Sequence, residues 1–274
     1  MILLPANLNN KILAITRKDT YADEFSQLVS SEGGKTISLS AIEIVPKDPK
    51  VVEEFISTVN KKKHDYCAFM SSQAVNVLCD LAMKINKTEN VISALNSRTI
   101  IAVGPKTRWS LINHRIDVKM VPERYSSEGL IELFSRTDRI KGKRIIIPRS
   151  GASKEFVRNS LSGLGMIVDE LFLYTLRTSQ TNSIWKDFTL LLGQKKVDAI
   201  IFTSASTVES FFEIMQKLSH NTHSLLKSVK AIIAIGPLTN EELIKRNIRS
   251  LEAKEHTIKG TFELAKAVLG ETNE

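Results

Sequence analysis

The sequence predicts an α/β protein built from two parallel-sheet domains, and three observations carry that prediction. Short apolar runs of strand length alternate with segments of helical spacing along the whole chain. The stretch Ala102-Val103-Gly104-Pro105-Lys106-Thr107 returns as Ala234-Ile235-Gly236-Pro237-Leu238-Thr239. The offset between the copies, 132 residues, recurs: Arg149 follows Arg17 by 132, Ser204 follows Ser71 by 133, and Gly260 follows Gly129 by 131. A solenoid repeat runs roughly 20–50 residues, so this period is that of a domain.

Taken in order, Lys11 to Thr16 is an apolar strand. Ala22, Phe25 and Leu28 then recur at helical spacing over Asp19 to Ser31, and Gly33-Gly34 ends that helix. Thr36 to Val45 alternates Ile37, Leu39 and Ala41 with serines and reads as one extended segment, broken by Pro46 and Pro49. A helix over Val51 to Asn60 precedes the strand Asp65 to Met70, and Ser71-Ser72 opens the helix Gln73 to Ile85. Arg98 to Val103 is a strand, Pro105 to Asn113 a helix and Asp117 to Val121 a short strand. Ser126-Ser127-Glu128 caps a helix running to Phe134.

The second half repeats this grammar. Lys143 to Pro148 is a strand, Ser153 to Leu161 a helix stopped by Gly163 and Gly165, and Met166 to Tyr174 an extended segment. The helix Trp185 to Leu192 leads to the strand Asp198 to Thr203. Ser206-Thr207-Val208-Glu209 reads as a capping box for a helix through Met215. Lys230 to Ile235 is a strand, Leu238 to Arg246 a helix, Arg249 to Glu252 a weak strand and Thr261 to Leu269 the closing helix. Each half thus holds about five βα units, the size of a flavodoxin-like domain.

Composition narrows the function classes. The chain has 274 residues, 42% of them hydrophobic, enough for two cores, and a formal net charge of +8 that suits an anionic partner. Aromatics make up only 6%, and the densest basic run is Lys61-Lys62-Lys63, so no base-stacking platform is advertised. Cys67 and Cys79 form no Cys-x-x-Cys pair, and Cys67 lies in an apolar run as a small core residue. The start Met1-Ile2-Leu3-Leu4-Pro5 lacks a signal h-region and no apolar run reaches spanning length, so a soluble, cytoplasmic protein is expected. There is no phosphate-binding Gly-x-x-x-x-Gly-Lys loop and no Gly-x-Ser-x-Gly elbow. Gly163-x-Gly165 precedes a strand, as a helix stop does, and the five histidines show no ligand spacing. A site free of cofactor and metal, made of Ser, Thr, Arg and backbone amides, is expected.

Ligands of open parallel sheets bind beyond the carboxyl ends of the strands. Arg17, Ser71-Ser72, Gly104 to Thr107, Tyr125 to Ser127, Arg149, Ser204 to Ser206 and Gly236 to Thr239 all lie just past a strand. Two such rims facing each other make a cleft of hydroxyls, arginines and helix N-termini, suited to carboxylates or phosphates.

In order and spacing, Ile-Thr-Arg17, Phe202-Thr203-Ser204-Ala205-Ser206-Thr207-Val208, the two Gly-Pro-x-Thr turns, and Glu170 to Tyr174 resemble the uroporphyrinogen-III synthase family, over Lys11 to Leu269. Met70 departs from it, standing where that family often has Thr. The resemblance implies two flavodoxin-like (HemD-like) domains joined by a two-stranded linker, with a cleft between them. Domain one would be 1–40 plus 177–274, and domain two 41–176. Ser40 to Val45 and Leu171 to Arg177 would form the linker. Residue patterns alone would instead place a boundary near Arg139, between tandem halves.

The implied reaction cyclises hydroxymethylbilane, a linear tetrapyrrole with acetate and propionate on each ring, to uroporphyrinogen III. The last ring is inverted through a spiro intermediate and water is lost, without a cofactor. The enzyme contributes orientation within a closing, water-excluding cleft. Carried over by position, the substrate contacts are Ser71, Ser72, Thr107, Ser204, Ala205, Ser206, Gly236 and Thr239, and Tyr174 is the acid. Ser72 and Ser206 fit plain N-caps as well as ligand contacts, and Thr107 and Thr239 fit first-turn caps. Arg17 and Arg149 either contact substrate carboxylates or stitch loops. The implied partners are the bilane and the enzyme that forms it, with no nucleic acid and no membrane, for a monomer. Two other readings fit the composition: a non-catalytic two-domain protein binding a polyanionic small molecule, and a nucleic-acid binder.

Overall fold

Along the chain, β1 (Ile12–Ile15), α1 (Asp19–Ser31), β2 (Lys35–Ser38), β3 (Ile42–Pro46), α2 (Lys50–Lys61), β4 (Tyr66–Phe69), α3 (Ser72–Lys84) and α4 (Thr88–Asn96) lead to β5 (Thr99–Ala102), α5 (Pro105–Asn113), β6 (Val118–Met120) and α6 (Ser127–Ser135). Then come β7 (Arg144–Ser150), α7 (Phe156–Gly163), β8 (Ile167–Thr178), α8 (Ser183–Gly193), β9 (Ala199–Phe202), α9 (Ala205–Leu218), α10 (Thr222–Leu226), β10 (Ala231–Ala234), α11 (Pro237–Lys245), β11 (Leu251–Glu252) and α12 (Ile258–Leu269). The structure is a computed structural model and describes residues 7–17, 19–151 and 155–270.

Strands buried on both faces hold the centres of two sheets, because only apolar runs survive between helix layers. In the first sheet β9 and β10 are wholly buried, and only Ile12 of β1 is partly exposed. Its order is β11-β10-β9-β1-β2, all parallel. The second sheet runs β3-β8-β7-β4-β5-β6, and its pairs from β8 through β6 are parallel. Beside β8 lies β3: the Lys47 amide donates to Leu173 O and the Ser179 amide to Ala41 O, both at 2.9 Å. One index rises as the other falls, so these strands are antiparallel.

The chain divides into two compact units, Met1–Glu43 with Arg177–Glu274, and Ile44–Leu176. The 132-residue offset maps one sheet on the other. β1, β2, β9, β10 and β11 correspond to β7, β8, β4, β5 and β6, and both sheets then read in the same spatial order. The first unit therefore combines two strands of one sequence repeat with three of the other, and so do the five parallel strands of the second sheet, which β3 extends at one edge. Gly129 and Gly260 show why the repeat keeps certain residues. A Cβ would stand 1.9 Å from Arg124 O in the first copy and 2.1 Å from Glu255 O in the second. Only glycine lets the loop carbonyl rest on the helix there.

Each sheet carries apolar clusters on its two faces. In the first unit, one face holds Trp185, Phe188, Phe202 and Phe211, whose rings meet edge-on or tilted at 5.1–6.0 Å. The other face holds Leu13, Ile15, Phe25 and Phe262. In the second unit, Phe55, Phe69, Leu78 and Leu173 fill one face, and Ile101, Phe134 and Ile147 the other.

The structure corrects several sequence readings. Thr36 to Val45 is two strands rather than one: Leu39 and Ala41 are buried in a cluster of the first unit, whereas Ile44 packs in the second. The helices α4 and α10 were not anticipated. The capping box belongs to Ser204 and Thr207, two residues ahead of the expected Ser206. Of the helix expected from Ser153, residues 152–154 lie outside the described residues and α7 begins at Phe156.

Candidate functional site

The first sheet has the 2-1-3-4-5 order whose ligands sit at the point where strand order reverses, and the five parallel strands of the second repeat that spatial arrangement with the chain order permuted. In the first unit that point lies between β1 and β9, and hydroxyls lock it. Thr16 Oγ1, buried, accepts from the Thr203 amide at 3.2 Å and lies 3.1 Å from Thr207 Oγ1. Thr203 Oγ1 donates to Thr16 O at 3.2 Å. Thr207 Oγ1 accepts from the Ser204 amide at 3.1 Å and donates to Ser204 O at 2.7 Å. In the second unit the corresponding positions are Pro148, Met70 and Ala74, and Met70 packs against the apolar cluster of Ala68 and Ile101. Where the first unit presents a fixed polar turn, the second presents packing.

The helices entering the rims divide into two kinds. Four carry their own caps: Ser71 accepts from the Ala74 amide at 3.3 Å, Ser126 from Gly129 at 3.2 Å, Ser204 from Thr207 at 3.2 Å and Thr257 from Gly260 at 2.9 Å. α7, behind β7, has no side-chain cap, and neither do α5 and α11, which begin Gly104-Pro105 and Gly236-Pro237. Proline suits the first helical position and lacks an amide, but the next amides of the first turn remain without a side-chain acceptor. The N-termini of α5 and α11 combine the positive end of the helix dipole with donors left over for an anion.

The residues singled out from sequence fall as follows. Ser71 and Ser204 are N-caps. Ser72 and Ala205 are the first helical residues of α3 and α9, and Ser206 is exposed in the first turn with Oγ 3.1 Å from Ser204 Oγ. Thr107 and Thr239 are buried in the first turns of α5 and α11, three residues beyond the Gly104 and Gly236 N-caps. Arg17 is half-buried in the turn after β1.

Arg149 is buried at the end of β7, its Nη1 2.6 Å from Glu170 Oε1 on β8, and its Nε has no hydrogen-bond partner. It lines a cavity of about 540 Å³ with Ser127, Glu128, Phe156 and Val157. The Ser126 hydroxyl and a helix amide hold the Glu128 carboxyl below its usual range. The one guanidinium on this cavity is thus already paired with Glu170, and Glu128 adds a second carboxylate, so the charge there is net negative. Tyr174 stands opposite Ser150 in the β7–β8 ladder, so it is level with the end of β7. Its ring packs in the cluster of Phe55, Phe69 and Leu173, leaving 6% of the residue exposed.

Sequence reasoning placed Tyr125 on a rim but gave no role to Thr16 or His256, nor to the contact of Tyr125 and His256 with the Gly-Pro glycines. A Cβ at Gly104 would lie 3.5 Å from Tyr125 Cβ, and one at Gly236 would lie 3.3 Å from His256 Cγ. The 131-residue spacing from Tyr125 to His256 was the available signal.

Charge pairs at the opposite, amino-terminal ends of β4 and β8 brace the second unit. Burial would raise the Asp65 carboxyl, but Lys143 Nζ at 2.7 Å and the Arg144 amide at 2.8 Å bring it below its usual value. Asp169 is lowered in the same way, against burial, by Lys62 at 2.6 Å and His64 Nε2 at 2.9 Å. Both cysteines are buried, and burial, with a smaller effect of Asp80, pushes the Cys79 thiol up to about 12. Among the described residues no three His, Cys, Asp or Glu side chains converge as a metal site, and no helix is long and apolar enough to cross a membrane.

Comparison with known proteins bears on what such rims hold. The family model described as uroporphyrinogen-III synthase HemD matches residues 23–263. A uroporphyrinogen-III synthase of Synechococcus elongatus is 27% identical over 259 residues, covering 92% of this chain and 93% of its own. Among solved structures, uroporphyrinogen-III synthetase from Helicobacter pylori aligns with a TM-score of 0.62 at 16% identity, over 94% of this chain and 99% of that one. A mutant uroporphyrinogen III synthase from Thermus thermophilus aligns with a TM-score of 0.57 at 17% identity, over 93% and 98%. These two share the fold, while the family model spans both repeats and nearly every rim residue described above. The chain belongs to the uroporphyrinogen-III synthase family.

Proposed function

We propose that this protein cyclises hydroxymethylbilane to uroporphyrinogen III, and that the carboxyl-end rims of its two sheets bind the substrate. The match of the family model over residues 23–263 carries the reading, and the chemistry of the rims supports it. A tetrapyrrole with two carboxylates on each ring needs several anion-accepting places. The uncapped N-termini of α5 and α11 offer the same place twice, with Thr107 and Thr239 in the turn behind each. Ser71, Ser72, Ser204, Ala205, Ser206 and Gly236 line the neighbouring turns. Arg17 serves as a further carboxylate contact, and Arg149, already paired with Glu170, sets the end of β7.

In the reaction, the electron pair of the terminal pyrrole nitrogen pushes out the hydroxyl group. The C–O bond breaks as the oxygen takes a proton and leaves as water. Tyr174 supplies a hydrogen bond to that oxygen, the task of a general acid. The substituted carbon of the last ring then bonds to the exposed methylene, closing a spiro intermediate. That carbon's bond to the preceding bridge breaks, and the ring's free α-carbon bonds to the bridge and loses its proton, leaving the ring inverted. The protein holds the ring so that the substituted carbon, and not the free α-position, meets the electrophile. We place it in the cytoplasm as a monomer, taking its substrate from a bilane-forming enzyme and independent of nucleic acid and membrane.

The test is consumption of hydroxymethylbilane by protein dialysed against a chelator. Multiple turnovers above the spontaneous rate are expected, and no acceleration would remove the assignment.

A further inference from the structure

The duplication supplies an internal control for the rim of the first unit. Tyr125 and His256 occupy one position in the two repeats, each directly before a helix N-cap and each against the glycine of a Gly-Pro helix start. Around His256, however, runs a chain of side chains. Ser250 Oγ donates to Asn240 Oδ1 at 2.7 Å, Asn240 Nδ2 donates to Glu252 Oε2 at 3.2 Å, and Glu252 Oε1 lies 3.6 Å from His256 Nε2. The positions of Asn240 and Glu252 correspond to Arg108 and Val121 in the other repeat, which builds the same strand, turn and helix without such a chain. The scaffold therefore does not require it.

The chain fixes one side of the imidazole. Nε2 is turned to Glu252, while Cγ and Nδ1 lie 3.3 and 3.5 Å from where a Gly236 Cβ would be, beside the uncapped start of α11. His256 keeps more than half of its side chain open to solvent. Its charged surroundings are Glu252, the positive end of the α11 dipole, and Lys254 and Glu255 in the same loop. With Nε2 toward Glu252, Nδ1 is the nitrogen left facing the start of α11, where an Nδ1–H can donate to a carboxylate.

We propose that His256, oriented by the Ser250–Asn240–Glu252 chain, is a substrate-binding residue that holds a carboxylate of the tetrapyrrole beside the N-terminus of α11. Tyr125, its counterpart, offers the second unit a phenol in place of an imidazole, so the two rims differ in the donor they present. The inference rests on the tetrapyrrole reading of this site.

The experiment compares His256→Ala, His256→Arg and wild type in hydroxymethylbilane turnover, with thermal unfolding to verify the fold. A residue that contributes binding shared by ground and transition states moves KM and spares kcat. His256→Ala is expected to raise KM about tenfold, as loss of a charge-assisted hydrogen bond does. Its kcat stays within about twofold, and His256→Arg recovers most of the loss by restoring an N–H donor to the carboxylate. A KM unchanged in His256→Ala, or a fall in kcat alone, overturns the proposal. If wild type forms no type III isomer, the tetrapyrrole reading itself fails. If wild type forms it and His256→Ala has the same KM, only the role of His256 fails.

Discussion

Tyr174→Phe separates the chemistry of the tyrosine from its packing. The ring lies in the core cluster of the second unit and the residue is 6% exposed, so truncation to alanine would cost about 3–5 kcal/mol and confuse activity with folding. Phenylalanine keeps the ring and its burial. Removing the hydroxyl alone changes stability by about 1 kcal/mol. General acid assistance is worth roughly 10²–10⁴-fold, and the bilane ionises readily enough to place the effect at the lower end. Turnover is therefore expected to fall about a hundredfold, or about 2.7 kcal/mol in the barrier. The product that does form stays type III, because ring placement does not depend on the hydroxyl. The assay is the initial rate of bilane consumption with isomer separation, beside a thermal melt. A wild-type rate in Tyr174→Phe would show that the hydroxyl takes no part and that catalysis rests on orientation alone.

Three further outcomes follow from the geometry. Gly260→Ala and Gly129→Ala each press a methyl group onto a backbone carbonyl, at 2.1 and 1.9 Å, and each will cost about 1–3 kcal/mol in denaturant unfolding, with neutral effect the contrary result. Asp65 and Asp169 bind protons less readily in the folded protein than in the unfolded chain, so stability rises with pH. Their contribution is complete above the ordinary carboxylate value of 3.8 and fades as pH falls below it. Asp65→Asn with Asp169→Asn will lower the urea midpoint at pH 7 and shrink the difference between pH 7 and pH 3, whereas an unchanged difference would mean that other carboxylates govern acid unfolding. Finally, we expect residues 41–176 to fold alone with a cooperative transition and residues 177–274 not to, since β1 lies between β9 and β2 in the first sheet. Cooperative unfolding of 177–274 alone would oppose this.

The sequence was most legible where local chemistry and spacing agree. Apolar runs ending in Gly-Pro, Ser-Ser or Thr-Ser-Ala-Ser announced β4, β5, β9 and β10, and the 132-residue offset announced two sheets of one kind. Short or interrupted elements were harder to read. In α4, Val91, Ala94 and Leu95 do recur at helical spacing, but the polar start Lys87-Thr88-Glu89-Asn90 resembles a loop. The break between β2 and β3 has no glycine or proline to mark it. It arises because Leu39 and Ala41 bury themselves in one core and Ile44 in another, which is a tertiary choice. In the candidate site, the backbone turns were visible, but the side-chain meetings were not. Thr16 meets Thr207 across 191 positions, and Asn240 meets Glu252 only because α11 and β11 pack together. No local pattern encodes either contact.

The most direct test of the account is the isomer formed from hydroxymethylbilane. Left alone, the bilane closes head to tail without inversion and gives the type I isomer. The purified protein, at a small fraction of the substrate concentration, is mixed with fresh bilane, and the products are oxidised and separated as type I and type III. The account predicts that type III dominates and that its share grows with protein concentration. Type I alone, in the same proportion as without protein, would contradict it.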